Sequence, residues 1–228
     1  MLRHSRPLAP SEIAQAESSA AAHFAATVPM LLAWDASALD DLACRWEGTK
    51  GGIIRGEYLG RVTSIHQPQR AWLAFYLCLK GDQGLVRLRT SEREVRLDIQ
   101  RGQARVSVNQ TPLGWLRESD GAFLNEPGQV IGCYKRYQGW RWTMGNRSLS
   151  PRYAAVELGG RMIAEVNDAL NWGAGSGSED TRRQLIRMRT ENLTDDETNW
   201  LIAMAGMEVY YDALRMRAAV NASPILRG

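Results

Sequence analysis

Three rhythms of hydrophobic and polar positions follow one another along the chain, and each predicts a different element. From Ser11 to about Glu47, Ile13, Ala16, Ala20, Phe24, Val28 and Leu31 recur at spacings of three and four, the period of one helical face. Pro29 lacks an amide hydrogen and is expected to end or kink that helix. A second, short helix is predicted from Ser37 as N-cap, with Asp40 and Asp41 complementing the helix dipole in its first turn.

From Gly51 to about Trp172 the period shortens to two. Runs such as "AWLAFYLCLKG", "GLVRLRT", "QARVSVN", "VIGCYKRY", "YAAVEL" and "RMIAEV" are separated by Gly, Asn, Asp and Ser. In "EVRLDIQ" the alternation is clean, with Val95, Leu97 and Ile99 on one face. About ten to twelve consecutive antiparallel strands joined by hairpins account for this texture. So many strands in one run close into a barrel or split into a sandwich, since an open meander would leave long unpaired edges.

The third rhythm is helical again. "GAGSGSED", residues 173–180, reads as a Gly/Ser connector, and "TRRQLIRMRTE" as a short basic amphipathic helix. The pattern from 194 to 217 predicts a core helix. Thr194 and Glu197 form a capping box, with Asp195 and Asp196 in the first turn. Trp200, Met204, Met207, Tyr211 and Leu214 mark an apolar seam, while Leu201, Ile202, Ala203, Ala205 and Gly206 make the first turns apolar on every side. A helix apolar all round must be buried all round, inside the barrel or against a partner. Glu208, Asp212, Arg215 and Arg217 predict that its later turns emerge into solvent.

The expected architecture is therefore mainly β: an antiparallel barrel of about twelve strands, a buried hydrophobic C-terminal helix, and a helical N-terminal extension. The domain reading is 1–48 for the extension and 49–228 for the barrel.

Composition narrows the classes. With 44% hydrophobic and 23% charged residues, the chain has the make-up of a soluble globular protein. A formal charge of +3 is too mild to mark a nucleic-acid binder by itself. Cys44, Cys78 and Cys133 are odd in number and far apart, and His4, His23 and His66 stand alone. Neither a disulfide framework nor a metal site is expected, and reduced, mostly buried thiols fit a cytoplasmic protein. The first residues lack the apolar core of a secretory signal, and the longest apolar runs are well short of the roughly 20 residues that span a bilayer.

No catalytic set is selected. The chain contains Ser, His and Asp, yet no G-x-S-x-G elbow, and His66 in "TSIHQPQR" falls at a strand end or turn. The acid pairs Asp40/Asp41, Glu179/Asp180 and Asp195/Asp196 all sit where helices are predicted to start. "GAGSGS" lacks the lysine of a phosphate-binding loop. No cofactor is implied.

One stretch has a chemical signature. Between Pro127 and Val156 the chain carries five cations, Lys135, Arg136, Arg141, Arg147 and Arg152, and no carboxylate, interleaved with Tyr134, Tyr137, Trp140 and Trp142. As a hairpin turning at Gln138-Gly139, it would place Trp140, Trp142 and Met144 on one face and Arg141 and Thr143 on the other. The tryptophans then belong to the core, and the cations to an anion-facing surface. Base stacking on exposed tryptophans would make the same stretch a single-strand nucleic-acid site, a less favoured reading.

The rhythm of "PLGWLRESDGAFLNEPGQVIGCYKRY" followed by "YAAVELGGRMIAEVNDAL" resembles the strand–turn–strand units of the tubby C-terminal-like superfamily, which includes phospholipid scramblases and LURP-one-related proteins. "GGRMIAEV" is similar to that family's G-x-x-x-A-x-V return, and the likeness extends over roughly residues 50 to 215. The resemblance implies a barrel threaded by its last helix, and a binding or scaffold role with membrane lipid as one candidate partner. The cysteine-rich, lipid-modified patch and C-terminal span of scramblases are not seen in this sequence. No phosphoinositide-binding residue of tubby proteins carries over.

The leading functional expectation is a non-enzymatic binding or scaffold module meeting an anionic lipid or membrane surface, or an anionic protein partner. An enzyme or carrier with a small hydrophobic ligand in the barrel is one alternative. A structural subunit assembling through its helices is the other, with no oligomeric state implied.

Overall fold

The alternation read from the sequence is an alternation of burial. In Glu94–Gln100, Val95, Leu97 and Ile99 are buried while Glu94, Arg96 and Asp98 are half-buried on the opposite face. The computed structural model describes residues 8–35, 37–51, 56–81, 83–134, 153–167 and 184–222. Its first helix, α1, is Pro10–Thr27, followed by a 3₁₀ turn at Val28–Met30 where Pro29 stops the α-helix. Six strands come next: β1 (Leu42–Gly51), β2 (Glu57–Ser64), β3 (Ala71–Lys80), β4 (Gln83–Arg89), β5 (Glu94–Gln100) and β6 (Gln103–Val108). The rest are β7 (Thr111–Arg117), β8 (Ala122–Leu124), β9 (Val130–Tyr134), β10 (Tyr153–Leu158), β11 (Arg161–Asn167) and β12 (Ile186–Met188). The chain ends in α2, Asp195–Ala222.

All 12 strands form one antiparallel meander in sequence order. The sheet curls until its first and last strands meet. Ala43 bridges Gln184, and the Leu185 amide donates to the Leu42 carbonyl (2.7 Å). The result is a nearly closed barrel, the expected solution to the edge problem.

α2 lies within the barrel. It touches β4 and β5 on one side and β11 on the other, and Trp200, Leu201, Ile202, Met204, Ala205, Met207, Val209 and Ala213 are all buried in the main core. The predicted capping box forms: the Thr194 amide donates to Glu197 Oε2 (2.7 Å) and the Glu197 amide to Thr194 Oγ1 (3.2 Å). At the helix start, Arg93 in the β4–β5 turn reaches Asn199, and Arg161 reaches Glu197. Later, Tyr210 packs over Gly84 and Arg217 reaches the Gly81 carbonyl in the β3–β4 turn. The helix therefore enters at one end of the barrel, the entry end, and leaves at the exit end.

α1 covers the outer face of β3. Ala16, Ala20, Phe24 and Leu31 pack on Ala71, Ala74, Tyr76, Cys78 and Leu85 in a second core. This explains why "AWLAFYLCL" is apolar throughout: β3 is buried on both faces.

Four expectations are corrected. The residues read as helical up to about Glu47 become strand from Leu42, since β1 pairs with β2. The short helix from Ser37 is a single hydrogen-bonded turn, Asp41 amide to Ser37 carbonyl (3.2 Å). The predicted basic helix contains β12 instead. Leu185 and Ile186 are buried, whereas Arg187 stacks on the Tyr153 ring (4.0 Å) and Arg189 pairs with Glu165 on the outside. Finally, Glu208 and Asp212 do not emerge into solvent, because they are still inside the barrel at 0% and 2% exposure. The connector at 173–180 lies outside the described residues.

Candidate functional site

β9 ends at Tyr134 and β10 begins at Tyr153, both at the exit end, because connections from odd to even strands in an antiparallel meander share one end with the Gly81 turn. Lys135, Arg136, Arg141, Arg147 and Arg152 fall in the connection between those strands, outside the described residues. The predicted hairpin turn at Gln138-Gly139 and its strand at 140–144 also lie outside the described residues. Over its described length β9 pairs with β8 along one edge, through Ala122–Cys133, and with β10 along the other, through Val156–Tyr134.

The root of this connection is tightly held. The Tyr134 side chain points inward, with 5% exposure. Its hydroxyl donates to Glu208 Oε1 on α2 (3.2 Å), and its amide to the Gly121 carbonyl in the β7–β8 turn (2.7 Å). Gly121 has φ +68°, and a Cβ there would meet the Tyr134 carbonyl oxygen at 2.0 Å, so both conformation and space require glycine.

Several cations elsewhere on the described surface lie against acids. Arg87 pairs with Glu94, Arg105 with Glu126 (3.2 Å), Arg117 with Asp120 (2.6 Å), Arg161 with Glu197 (2.7 Å) and Arg189 with Glu165 (2.6 Å). Arg96 holds Asp98 through two 3.0 Å bonds and also reaches Glu17 of α1. Such exposed pairs contribute little stability individually. Their consequence here is neutralisation. A groove of about 600 Å3 over β4–β6 is lined by Arg87, Arg96 and Arg105. The first two direct their donors into Glu94, Asp98 and α1, where Arg87 also donates to the Glu17 carbonyl (3.3 Å). The groove works as a clasp for α1. Lys80 adds a second clasp through Glu12 (2.7 Å).

Asp41, read from sequence as the start of a helix, instead organises the entry end. Its carboxylate accepts from Ser64 Oγ, Trp72 Nε1 (2.7 Å) and the amides of Ile65 (3.0 Å) and His66 (3.1 Å). Burial alone would raise its pKa, but the bonds from Ser64, Trp72 and the His66 amide outweigh burial and hold the carboxyl below its ordinary value. Ser64, His66 and Asp41 are thus neighbours, yet in the wrong order for nucleophilic catalysis. The Ser64 hydroxyl points at the carboxylate rather than the imidazole and accepts the Gln67 amide (2.8 Å), which makes it a turn lock. Asp40 binds the closing strand in the same way, accepting from Gln184 Nε2 (3.0 Å) and the Met188 amide (2.6 Å). Sequence spacing gave no sign of these roles, since the partners of Asp41 lie 23 to 31 residues away.

Inside the barrel, α2 fills the space that a carrier would reserve for a ligand. Trp200 meets Phe123 edge-on at 5.0 Å, and Gly206 lets Leu88 and Leu97 close onto the helix. Near the exit end the lining becomes polar, with Tyr58, Tyr134, Asn167, Glu208 and Asp212 all buried. Burial raises the Tyr58 hydroxyl above its ordinary range, with Arg217 pulling it down and Asp212 pushing it up. Cys78 lies beneath α1, its thiol pushed up to about 11 by burial and by the charges of Glu57 and Glu12, so it is not a poised nucleophile.

No group of His, Cys, Asp and Glu able to hold a metal occurs among the described residues, and no described helix is long and apolar enough to cross a membrane. No family model, no curated protein and no solved structure matches the chain.

Proposed function

We propose that the chain is a non-enzymatic binding module whose connection between β9 and β10 meets an anionic lipid surface. One observation carries the reading. Pro127 to Val156 bears five cations and no carboxylate, whereas Arg87, Arg96, Arg105, Arg117, Arg161 and Arg189 each lie against an acid. A stretch of sequence with five cations and no carboxylate of its own is suited to an anion supplied from outside. The filled barrel supports a scaffold role over that of a carrier, and the Asp41 cluster has the bonding of a structural lock. A barrel threaded by its last helix is also the architecture of the tubby-like proteins that the sequence resembles. We place the chain beside them as a proposal about ancestry as well as fold.

Vesicle flotation tests the reading. The intact protein is expected to float with vesicles containing about one part phosphatidylserine in four, and to be released as salt rises and screens the contact. Arg141→Glu with Arg147→Glu should abolish flotation while leaving the thermal midpoint unchanged. Competition by inorganic phosphate separates an affinity for single phosphates from one for a charged surface. Unchanged flotation of the double variant would sink the proposal.

A further inference from the structure

We infer that α1 is a strap that lifts from the barrel as a unit, hinging at Val28–Met30, while the barrel and its threaded helix stay folded. Lifting uncovers an apolar strip on the outer face of β3. The two packings are separate. No residue of α1 belongs to the main core, and the cluster it forms with β3 and Leu85 shares no member with that core. β3 serves the two clusters through opposite faces, so its inner face stays covered when the outer one is bared. The anchor is small. α1 buries Ala16, Ala20, Phe24 and Thr27, of which only Phe24 is large. The remaining ties lie at the rim: Glu12 with Lys80, Glu17 with Arg96, and His23 Nε2 at 3.3 Å from the Gly60 carbonyl. Exposed ion pairs of this kind hold weakly. The seat also holds polar groups, since the fully buried Tyr76 hydroxyl faces Glu57 and Ser19. Burying them offsets part of what the apolar contact contributes. Just past the hinge the chain is fastened again, with Leu31 bridging Ala71 and the Leu32 amide donating to the Ala71 carbonyl (2.8 Å). A helix with its own small core and its own hinge opens at less cost than global unfolding.

Cys78 reports the opening. It lies in the seat at 8% exposure with its thiol pushed up to about 11, and it becomes reactive when α1 is away. Full-length protein is treated with iodoacetamide under native conditions, and mass spectrometry of its peptides separates Cys78 from Cys44 and Cys133. Cys78 is expected to label at least about ten-fold faster than global unfolding allows, with a shallower urea dependence than the whole protein shows. Phe24→Ala removes the one large anchor and should speed Cys78 labelling about thirty-fold or more. Ile163→Val on β11 weakens the main core in the closed and lifted forms alike. It should therefore speed global unfolding and leave Cys78 labelling unchanged. Native Cys78 labelling only at the rate and urea dependence of global unfolding would overturn the strap. So would Ile163→Val speeding Cys78 labelling as much as global unfolding. Phe24→Ala overturns it too if that variant unfolds the barrel outright, or if it folds and leaves Cys78 labelling unchanged.

Discussion

Asp41 gathers donors from a serine, an indole and two backbone amides, and so joins the first turn of the barrel to the β2–β3 turn. Removing that acceptor takes a partner from four donors, two of them on residues that are 1% and 6% exposed, although the Ile65 amide keeps the Asp41 backbone carbonyl (3.0 Å). Asp41→Ala should therefore cost about 2–4 kcal/mol, seen as a lower urea midpoint with unchanged slope. The same carboxyl predicts an acid limb. Its folded pKa lies below the ordinary 3.8, so its contribution is complete above that value and is lost as pH falls through the folded pKa. Below about pH 4, native protein should lose stability faster than Asp41→Asn, which has no such proton to take up. At this scale the sequence was least legible. "DASALDD" carries every local mark of a helix start, and nothing local reveals Ser64 or Trp72.

At the scale of elements, legibility followed self-sufficiency. α2 was readable because its cap, its first-turn acids and its all-round apolar turns lie within one segment. β5 was readable because alternation with one face buried admits a single register. β12 was misread because a strand of three residues is too short to show a period, and because Arg187 and Arg189 find their partners on β10 and β11. Glu208 and Asp212 were misread because helix polarity normally marks solvent, whereas here tyrosines line the space around them. Two substitutions follow. Thr194→Ala should cost about 1 kcal/mol by opening the capping box. Gly206→Val should cost more, about 2 kcal/mol or above, since even a Cβ meets Leu88 Cδ1 at 2.6 Å. Thermal unfolding of both variants ranks them, and equal midpoints would contradict a helix closely packed against β4 and β5.

At the scale of the whole molecule, the barrel and its threaded helix were legible from strand rhythm followed by one apolar helix, because closing the sheet and filling it are the same packing problem. The candidate site was legible only as composition: a run of cations without acids, held between two strands that leave the barrel at the exit end. In the proposed reading, the barrel is structural and that connection binds. Hydrogen exchange of the intact protein, with and without vesicles of about one part phosphatidylserine in four, separates the two directly. New protection is expected to be confined to residues 135–152 and the adjoining ends of β9 and β10, with the strands of the α1 face unchanged. Protection elsewhere on the barrel with none in 135–152 would contradict it.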